Sequence, residues 1–393
     1  MKSYPYVIVG GGMTAASAVQ GIRESDPDGK IAMFSLESDP PYNRPPLTKG
    51  LWKNKPLSSI WRDTNVAGLD LYLKCRVQNL DTQKKQITDE HGELYQFEKL
   101  LLATGGTPKR LPFGGDQLIY LRTLADFKRL QAITKTGTRF GVIGGGFIGS
   151  EIAAALAMNE QEVVMIFPEE GIGARNFPGD LSLFLNDYYR QKGVNVLAKE
   201  TIVGFKKDQN RPVLMTKGQS EIEVDGVVAG IGIQPNTDLA KAAGLKVNHG
   251  IVVDKHLHTS QPDILAAGDG AEFFNPALDK YIRVEHEDNA NKMGRLAGQN
   301  MAGGNASYDY LPYFYSDLFD LGYEAVGELD SHLEIVSDWQ EKYHQGVVYY
   351  MKDGRVRGVL LWNVWGKVDA ARELIARPGP FQPADLKGAI GSD

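Results

Sequence analysis

A short β-branched run that ends in G-x-G-x-x-G/A and opens straight into an alanine-rich helix occurs twice in this chain. The first copy reads Tyr6-Val7-Ile8-Val9-Gly10-Gly11-Gly12-Met13-Thr14-Ala15-Ala16, and the second reads Phe140-Gly141-Val142-Ile143-Gly144-Gly145-Gly146-Phe147-Ile148-Gly149-Ser150-Glu151. The first glycine makes the tight turn, and the second lets the backbone approach a pyrophosphate. The third small residue packs helix on strand, whose N-terminal amides then face the anion. A single match is weak evidence. Two matches, with Gly10 and Gly144 standing 134 positions apart, argue for two doubly wound α/β units and two dinucleotides.

Each turn is followed by an acid near the end of the next strand. Glu37 closes Lys30-Ile31-Ala32-Met33-Phe34-Ser35-Leu36, 22 positions beyond Ala15, and Glu169 follows Glu162-Val163-Val164-Met165-Ile166-Phe167-Pro168, 20 positions beyond Gly149. A carboxylate there accepts hydrogen bonds from ribose hydroxyls and repels a 2′-phosphate. The second site therefore reads as one for NADH, with Arg175 nearby lending some tolerance.

Composition removes several classes of function. The 393 residues carry 42% hydrophobic and 23% charged side chains, which suits a soluble protein of two or three domains. A net charge of −6 argues against general nucleic-acid binding. The sequence has no run of 18 apolar residues, so no membrane span is expected. Met1 to Tyr6 lead directly into the first strand without a signal or transit pattern, and the expected location is cytoplasmic. The one cysteine, Cys75, excludes an internal disulfide and a C-x-x-C pair.

The plan of the first unit repeats in the second. Lys99-Leu100-Leu101-Leu102-Ala103-Thr104-Gly105-Gly106-Thr107-Pro108 and Gly226-Val227-Val228-Ala229-Gly230-Ile231-Gly232-Ile233-Gln234-Pro235 are both apolar strands stopped by glycine and proline, and residues 263–270 end similarly. The expected organisation is a first domain of residues 1–112 and 243–318, interrupted by a second at 113–242. Residues 319–393 form a third, α+β region, with a hairpin turning at Asp353-Gly354 and a helix over 366–376. Trp362 and Trp365 read as core. His256 and His258 lack an accompanying acid or cysteine cluster, so they read as solvated strand histidines and no metal site is expected.

The string Pro41-Tyr42-Asn43-Arg44-Pro45-Pro46-Leu47-Thr48-Lys49, the two turns, Ala103-Thr104-Gly105-Gly106 and Ala267-Gly268-Asp269 together resemble the pyridine-nucleotide-disulfide reductase superfamily. Within it the match is to the ferredoxin-reductase-like branch. Residues 283–286, 294–301, 322–327 and 346–363 are most similar to the apoptosis-inducing factors. The resemblance implies a glutathione-reductase-like fold of two nested dinucleotide-binding domains, FAD in the first and NADH in the second, with a small C-terminal domain over the flavin. By the same resemblance Gly10, Gly12 and Ala15 cradle the FAD pyrophosphate, and Glu37 takes its ribose. Arg44, Lys49, Val77, Thr104, Gly105 and Arg122 line the cofactor, and Asp269 binds a ribityl hydroxyl. The backbone at His286 and Glu287 opens a helix toward the flavin pyrimidine, where it stabilises the charge left by hydride arrival. Gly144, Gly146, Gly149, Glu169, Arg175 and Gly232 hold NADH; Lys49 and Glu151 pair beside flavin N5, with Phe147 as the aromatic gate.

Departures from the family pattern narrow the reading. Tyr315 replaces a tryptophan in Phe314-Tyr315-Ser316-Asp317, which removes the indole of a second nicotinamide site. Lys246, Val253 and Gln261 stand where the family's reduced dimer has its charged pairs, so a monomer or a dimer of another kind is expected. Only residues 330–345 occupy the place of a long C-terminal insertion. Without a redox cysteine after the first helix, electrons must leave by another route. One reading is an FAD-dependent NADH oxidoreductase with a long-lived charge-transfer complex and a one-electron carrier, quinone or oxygen as acceptor. A second is an NADH:ferredoxin or rubredoxin reductase docking its acidic partner on Lys109, Arg110, Lys128, Arg129, Lys292 and Arg295. A third is a scaffold gated by its NADH-bound state.

Overall fold

The computed structural model describes residues 1–208 and 211–391. The described residues divide into two compact units: those within Met1–Arg44, Leu57–Thr107 and Gln234–Pro312 form one, and those within Pro45–Pro56, Pro108–Ile233 and 313–391 the other.

The first unit is built on a mixed seven-stranded sheet. Its parallel part runs Leu69–Tyr72, Ile31–Phe34, Lys2–Val9, Leu94–Leu102 and Ile264–Ala266. Gln86–Asp89 and Val77–Asp81 extend it in antiparallel fashion. The central strands are apolar on both faces, as buried parallel strands must be; Val7, Ile8, Leu100 and Leu101 are all fully buried. Helices Met13–Ser25 and Glu287–Met301 pack closely, because a Cβ on Gly298 would lie 2.1 Å from the Ala18 carbonyl oxygen.

The second unit contains a five-stranded parallel sheet in the order Val194–Ala198, Glu162–Phe167, Arg139–Ile143, Gly226–Ala229, Leu118–Ile119. An antiparallel sheet of Ile202–Asp208, Arg211–Thr216 and Glu221–Glu223 accompanies it. Its C-terminal part is an antiparallel sheet ordered Tyr313–Leu318, Leu321–Gly327, Arg355–Trp362, Gln345–Lys352, Glu334–Glu341, followed by helix Val368–Ala376. The expected Asp-Gly hairpin forms, with Asp353 at φ 52° and Gly354 at φ 72°, the left-handed pair that such a tight turn requires. The fold is thus α/β, with a sheet built on parallel strands in each unit and an antiparallel C-terminal sheet.

Two features depart from the expectation. Trp362 is fully buried, but Trp365 is 53% exposed in the loop after the last strand, so only the first is core. His256 and His258 lie in a turn closed by Asp254, whose Oδ1 accepts from both of their backbone amides; no regular strand forms there.

Candidate functional site

In the first unit, strand Lys2–Val9 ends at Gly10, whose φ of +132° is closed to ordinary side chains, and a Cβ there would meet the Ala103 carbonyl oxygen at 2.0 Å. Helix Met13–Ser25 begins with Gly12 as its cap, and no side chain satisfies its first amides. A Cβ on Gly12 would meet only Arg44 Nη2, at 3.9 Å, while Ala15 is fully buried against the sheet. This is an open anion cradle of the kind a pyrophosphate fits.

Glu37 is held next to that cradle. Arg44 Nη2 donates to its Oε1 at 2.5 Å and the Tyr42 hydroxyl donates to its Oε2 at 2.5 Å. Burial alone would lower the Arg44 pKa, but the charges of Glu37, Tyr42 and Asp269 outweigh it and raise it. Asp269 sits in the turn Gly268–Gly270, and its carbonyl accepts from Arg283 Nη1 at 3.0 Å. Thr104 and Gly105 are fixed by Asn236: Thr104 Oγ1 donates to the Asn236 carbonyl at 2.7 Å, and the Asn236 amide donates to the Gly105 carbonyl at 2.9 Å. His286 caps helix Glu287–Met301, its Nδ1 accepting from the Asp288 amide at 3.4 Å. Val77 is partly buried and packs against the apolar core of this unit.

In the second unit the same turn is built more tightly. Gly144 takes φ +112°, and a Cβ on Gly149 would lie 2.0 Å from the Gly144 carbonyl oxygen. Around Gly146 a Cβ would meet nothing within 4 Å, and the same holds at Gly232. Helix Phe147–Met158 again starts without a side-chain cap. Glu169 is bound by Arg175, with Nη2 at 2.7 Å and Nε at 3.0 Å from the same carboxylate oxygen. Arg122 precedes the capping box of helix Leu124–Thr134, where its amide donates to Asp126 at 3.2 Å.

The two residues placed nearest the reacting atoms do meet. Lys49 Nζ donates to Glu151 Oε1, and the Glu151 side chain is only 5% exposed. Two residues not anticipated complete the carboxylate's partners: Ser316 Oγ donates to Oε1 and Thr48 Oγ1 to Oε2, each at 2.6 Å. The Tyr315 ring lies 5.2 Å from the Lys49 ammonium. Burial first, then the charge of Glu151, pushes the hydroxyls of Tyr189 and Tyr323 well above their usual range. In the sequence Thr48 and Ser316 stand out only as members of the strings Pro41 to Lys49 and Phe314 to Asp317; a hydroxyl residue gives no signal of which carboxylate it will meet. Phe147 is 41% exposed and packs edge-on against Phe314 at 5.5 Å, so it is not a core residue. Arg110, Arg129 and Arg295 of the proposed basic dock are engaged by Asp116, by its backbone and by Glu24.

The sequence matches the family model for pyridine nucleotide-disulphide oxidoreductases over residues 4–294. The model for the C-terminal region of mitochondrion-associated apoptosis-inducing factor matches residues 297–342 and 336–377. Mitochondrial apoptosis-inducing factor 1 of Dictyostelium discoideum is 34% identical over 440 residues, covering 100% of this chain and 82% of that protein. Monodehydroascorbate reductase 3 of Arabidopsis thaliana is 34% identical over 421 residues, covering 98% and 94%. Among solved structures, the covalent putidaredoxin reductase–putidaredoxin complex superposes with a TM-score of 0.90 at 28% identity, covering 98% of this chain and 95% of that one. In the described residues no helix is long and apolar enough to cross a membrane.

Proposed function

The chain belongs to the pyridine nucleotide-disulphide oxidoreductase family, whose members use FAD and NAD(P)H, and on that premise we propose that it carries hydride from NADH to FAD and hands electrons to a non-disulfide acceptor. It is a flavin-dependent NADH oxidoreductase. FAD supplies an electrophilic N5 that takes hydride when bound. The assignment gives residues 1–112 and 243–318 to FAD, 113–242 to NADH, and 319–393 to the C-terminal domain. Gly10, Gly12 and Ala15 would hold the FAD pyrophosphate, with Glu37 and Arg44 at its ribose. Gly144, Gly146, Gly149 and Glu169 would do the same for NADH, and Lys49 with Glu151 would orient the flavin edge.

The observation that carries the non-disulfide acceptor is the setting of Cys75. It is buried, its thiol donates to Asp89 at 3.6 Å, and burial, aided by that carboxylate, pushes its pKa to about 11. A thiol held protonated is a poor nucleophile for disulfide chemistry, and no second cysteine exists to resolve one. A long-lived charge-transfer complex after NADH addition belongs to this reading. An anaerobic NADH titration followed by air tests it: a long-wavelength band that outlasts the titration and decays slowly in air is expected, whereas immediate reoxidation removes that part of the proposal.

A second reading has its own support. The putidaredoxin reductase structure is that of a reductase bound to its redox partner, which favours a ferredoxin-type acceptor here. Turnover with a ferredoxin, against turnover with a dye, a quinone and the monodehydroascorbate radical, decides between them. Fast turnover confined to the ferredoxin establishes the second reading.

A further inference from the structure

We propose that Thr48 and Ser316 are positioning residues that fix the Glu151 carboxylate, and through it the Lys49 ammonium. Three segments far apart in sequence converge on this one carboxylate: Thr48 and Lys49 beside the turn Gly50–Lys53, Glu151 on helix Phe147–Met158, and Ser316 on strand Tyr313–Leu318. Thr48 and Ser316 are both buried, and each hydroxyl lies 2.6 Å from a different oxygen of Glu151. A carboxylate gripped at both oxygens cannot turn about its last bond without breaking a bond, so its plane is set. Both anchors are neutral, so neither competes with Lys49 for the charge.

The anchors are themselves held. Ser316 is held in register opposite the buried Tyr323 of the adjoining strand, and its neighbour Tyr315 places a ring 5.2 Å from Lys49. One strand therefore fixes both members of the ion pair. Thr48 Oγ1 also faces the Pro45 carbonyl at 3.3 Å, but the bond to Glu151 is much the shorter and takes the single proton. Any effect on the flavin rests on the proposed placement of Lys49 beside it; the hydroxyl cradle does not.

The test uses FAD-loaded protein carrying Ser316→Ala, Thr48→Val and both, with Ser316→Thr and Thr48→Ser as variants that keep the hydroxyl. Acetylation of Lys49 by acetic anhydride, measured by mass spectrometry against exposed Lys128, reports how firmly the ammonium is held. The rate at Lys49 is expected to rise about two- to tenfold in the hydroxyl-free variants, the scale of one hydrogen bond, and to return in the conservative ones. The flavin midpoint potential is expected to move in the same direction as in Glu151→Gln, and Ser316→Ala should add nothing in the Glu151→Gln background. Unchanged labelling in a folded double variant overturns the cradle, as does a Ser316→Ala shift that persists undiminished in Glu151→Gln. Increased labelling with a potential unmoved in every variant, Glu151→Gln included, upholds the cradle and overturns the placement of the pair beside the flavin.

Discussion

The two glycine-rich turns share one pattern but are finished differently. In the first unit the third position is Ala15, whose Cβ is accommodated in the core; in the second it is Gly149, where a Cβ would strike the Gly144 carbonyl at 2.0 Å. The acids differ in the opposite sense. Glu37 is locked by Arg44 and Tyr42, with Arg44 only 19% exposed, whereas the partner of Glu169 is Arg175, at 82% exposure. So the first site has a rigid acid over a roomier helix, and the second has a looser acid over a tighter one. The two carboxylates themselves are similarly covered, at 21% and 25% exposure, so the difference lies in their partners. An acid locked by buried partners suits the resident FAD proposed for the first site, and one paired to an exposed arginine suits the NADH proposed for the second, which must come and go.

The largest expected effect breaks the contrast at the third position. Gly149→Ala forces helix Phe147–Met158 off its strand, because the struck atom is backbone and cannot rotate away. The expected cost is about 4 kcal/mol or more, at the upper end for overpacking, read by denaturant unfolding of the holoprotein. Gly146→Ala meets nothing within 4 Å, so it should leave stability near wild type while weakening NADH binding. If Gly149→Ala folds with wild-type stability, the turn is not as tight as described.

Next comes the buried pair. Lys49→Ala or Glu151→Ala leaves one partly desolvated charge without its ionic partner, at an expected cost of about 2–4 kcal/mol, since Lys49 keeps 14% exposure and the hydroxyls of Thr48 and Ser316 still solvate Glu151. Either change should slow flavin reduction or shift its potential with FAD still bound. The double variant should fall short of the sum by about 1–3 kcal/mol. Simple additivity in a stopped-flow double-mutant cycle would mean two independent residues.

What the sequence made legible and what it did not follow from the range of the forces involved. The turns, the Asp-Gly hairpin and the helix Val368–Ala376 are set by neighbours along the chain, so pattern and turn residues disclose them. The Lys49–Glu151 contact spans 102 positions; no local pattern predicts it, and only the family resemblance brought the two together. Thr48 and Ser316 escaped even that, because a hydroxyl declares its partner only once the sheets have formed. Trp365 misled for a related reason: its apolar ring suggests core, but the chain has left the last strand at Asn363, which takes φ 48°. His256 and His258 were misplaced because Asp254, two and four residues back, captures their amides and replaces a strand with a turn.

A smaller effect sharpens the contrast between the acids. Glu169→Lys removes a carboxylate that repels a 2′-phosphate and supplies a cation that attracts one. The NADPH-to-NADH ratio in stopped-flow reduction should rise by about 1–3 kcal/mol, the scale of a charge-assisted contact. An unmoved ratio means that Glu169 points away from the ribose.

The smallest effect tests whether the second acid is as loosely held as it looks. Arg175→Ala removes an arginine that is 82% exposed, so the pair contributes no more than about 1 kcal/mol and the unfolding midpoint should barely move. Nucleotide choice should still respond, because Arg175 neutralises Glu169 from 2.7 Å away. With the cation gone, the carboxylate repels a 2′-phosphate more strongly, and the preference for NADH should grow by up to about fivefold, the equivalent of about 1 kcal/mol. The same change at the other turn should behave differently: Arg44→Ala uncovers a half-buried carboxylate and should loosen FAD as well as the fold. If Arg175→Ala instead erodes the NADH preference, the arginine is holding Glu169 in place for the ribose, and the second acid is locked as firmly as the first.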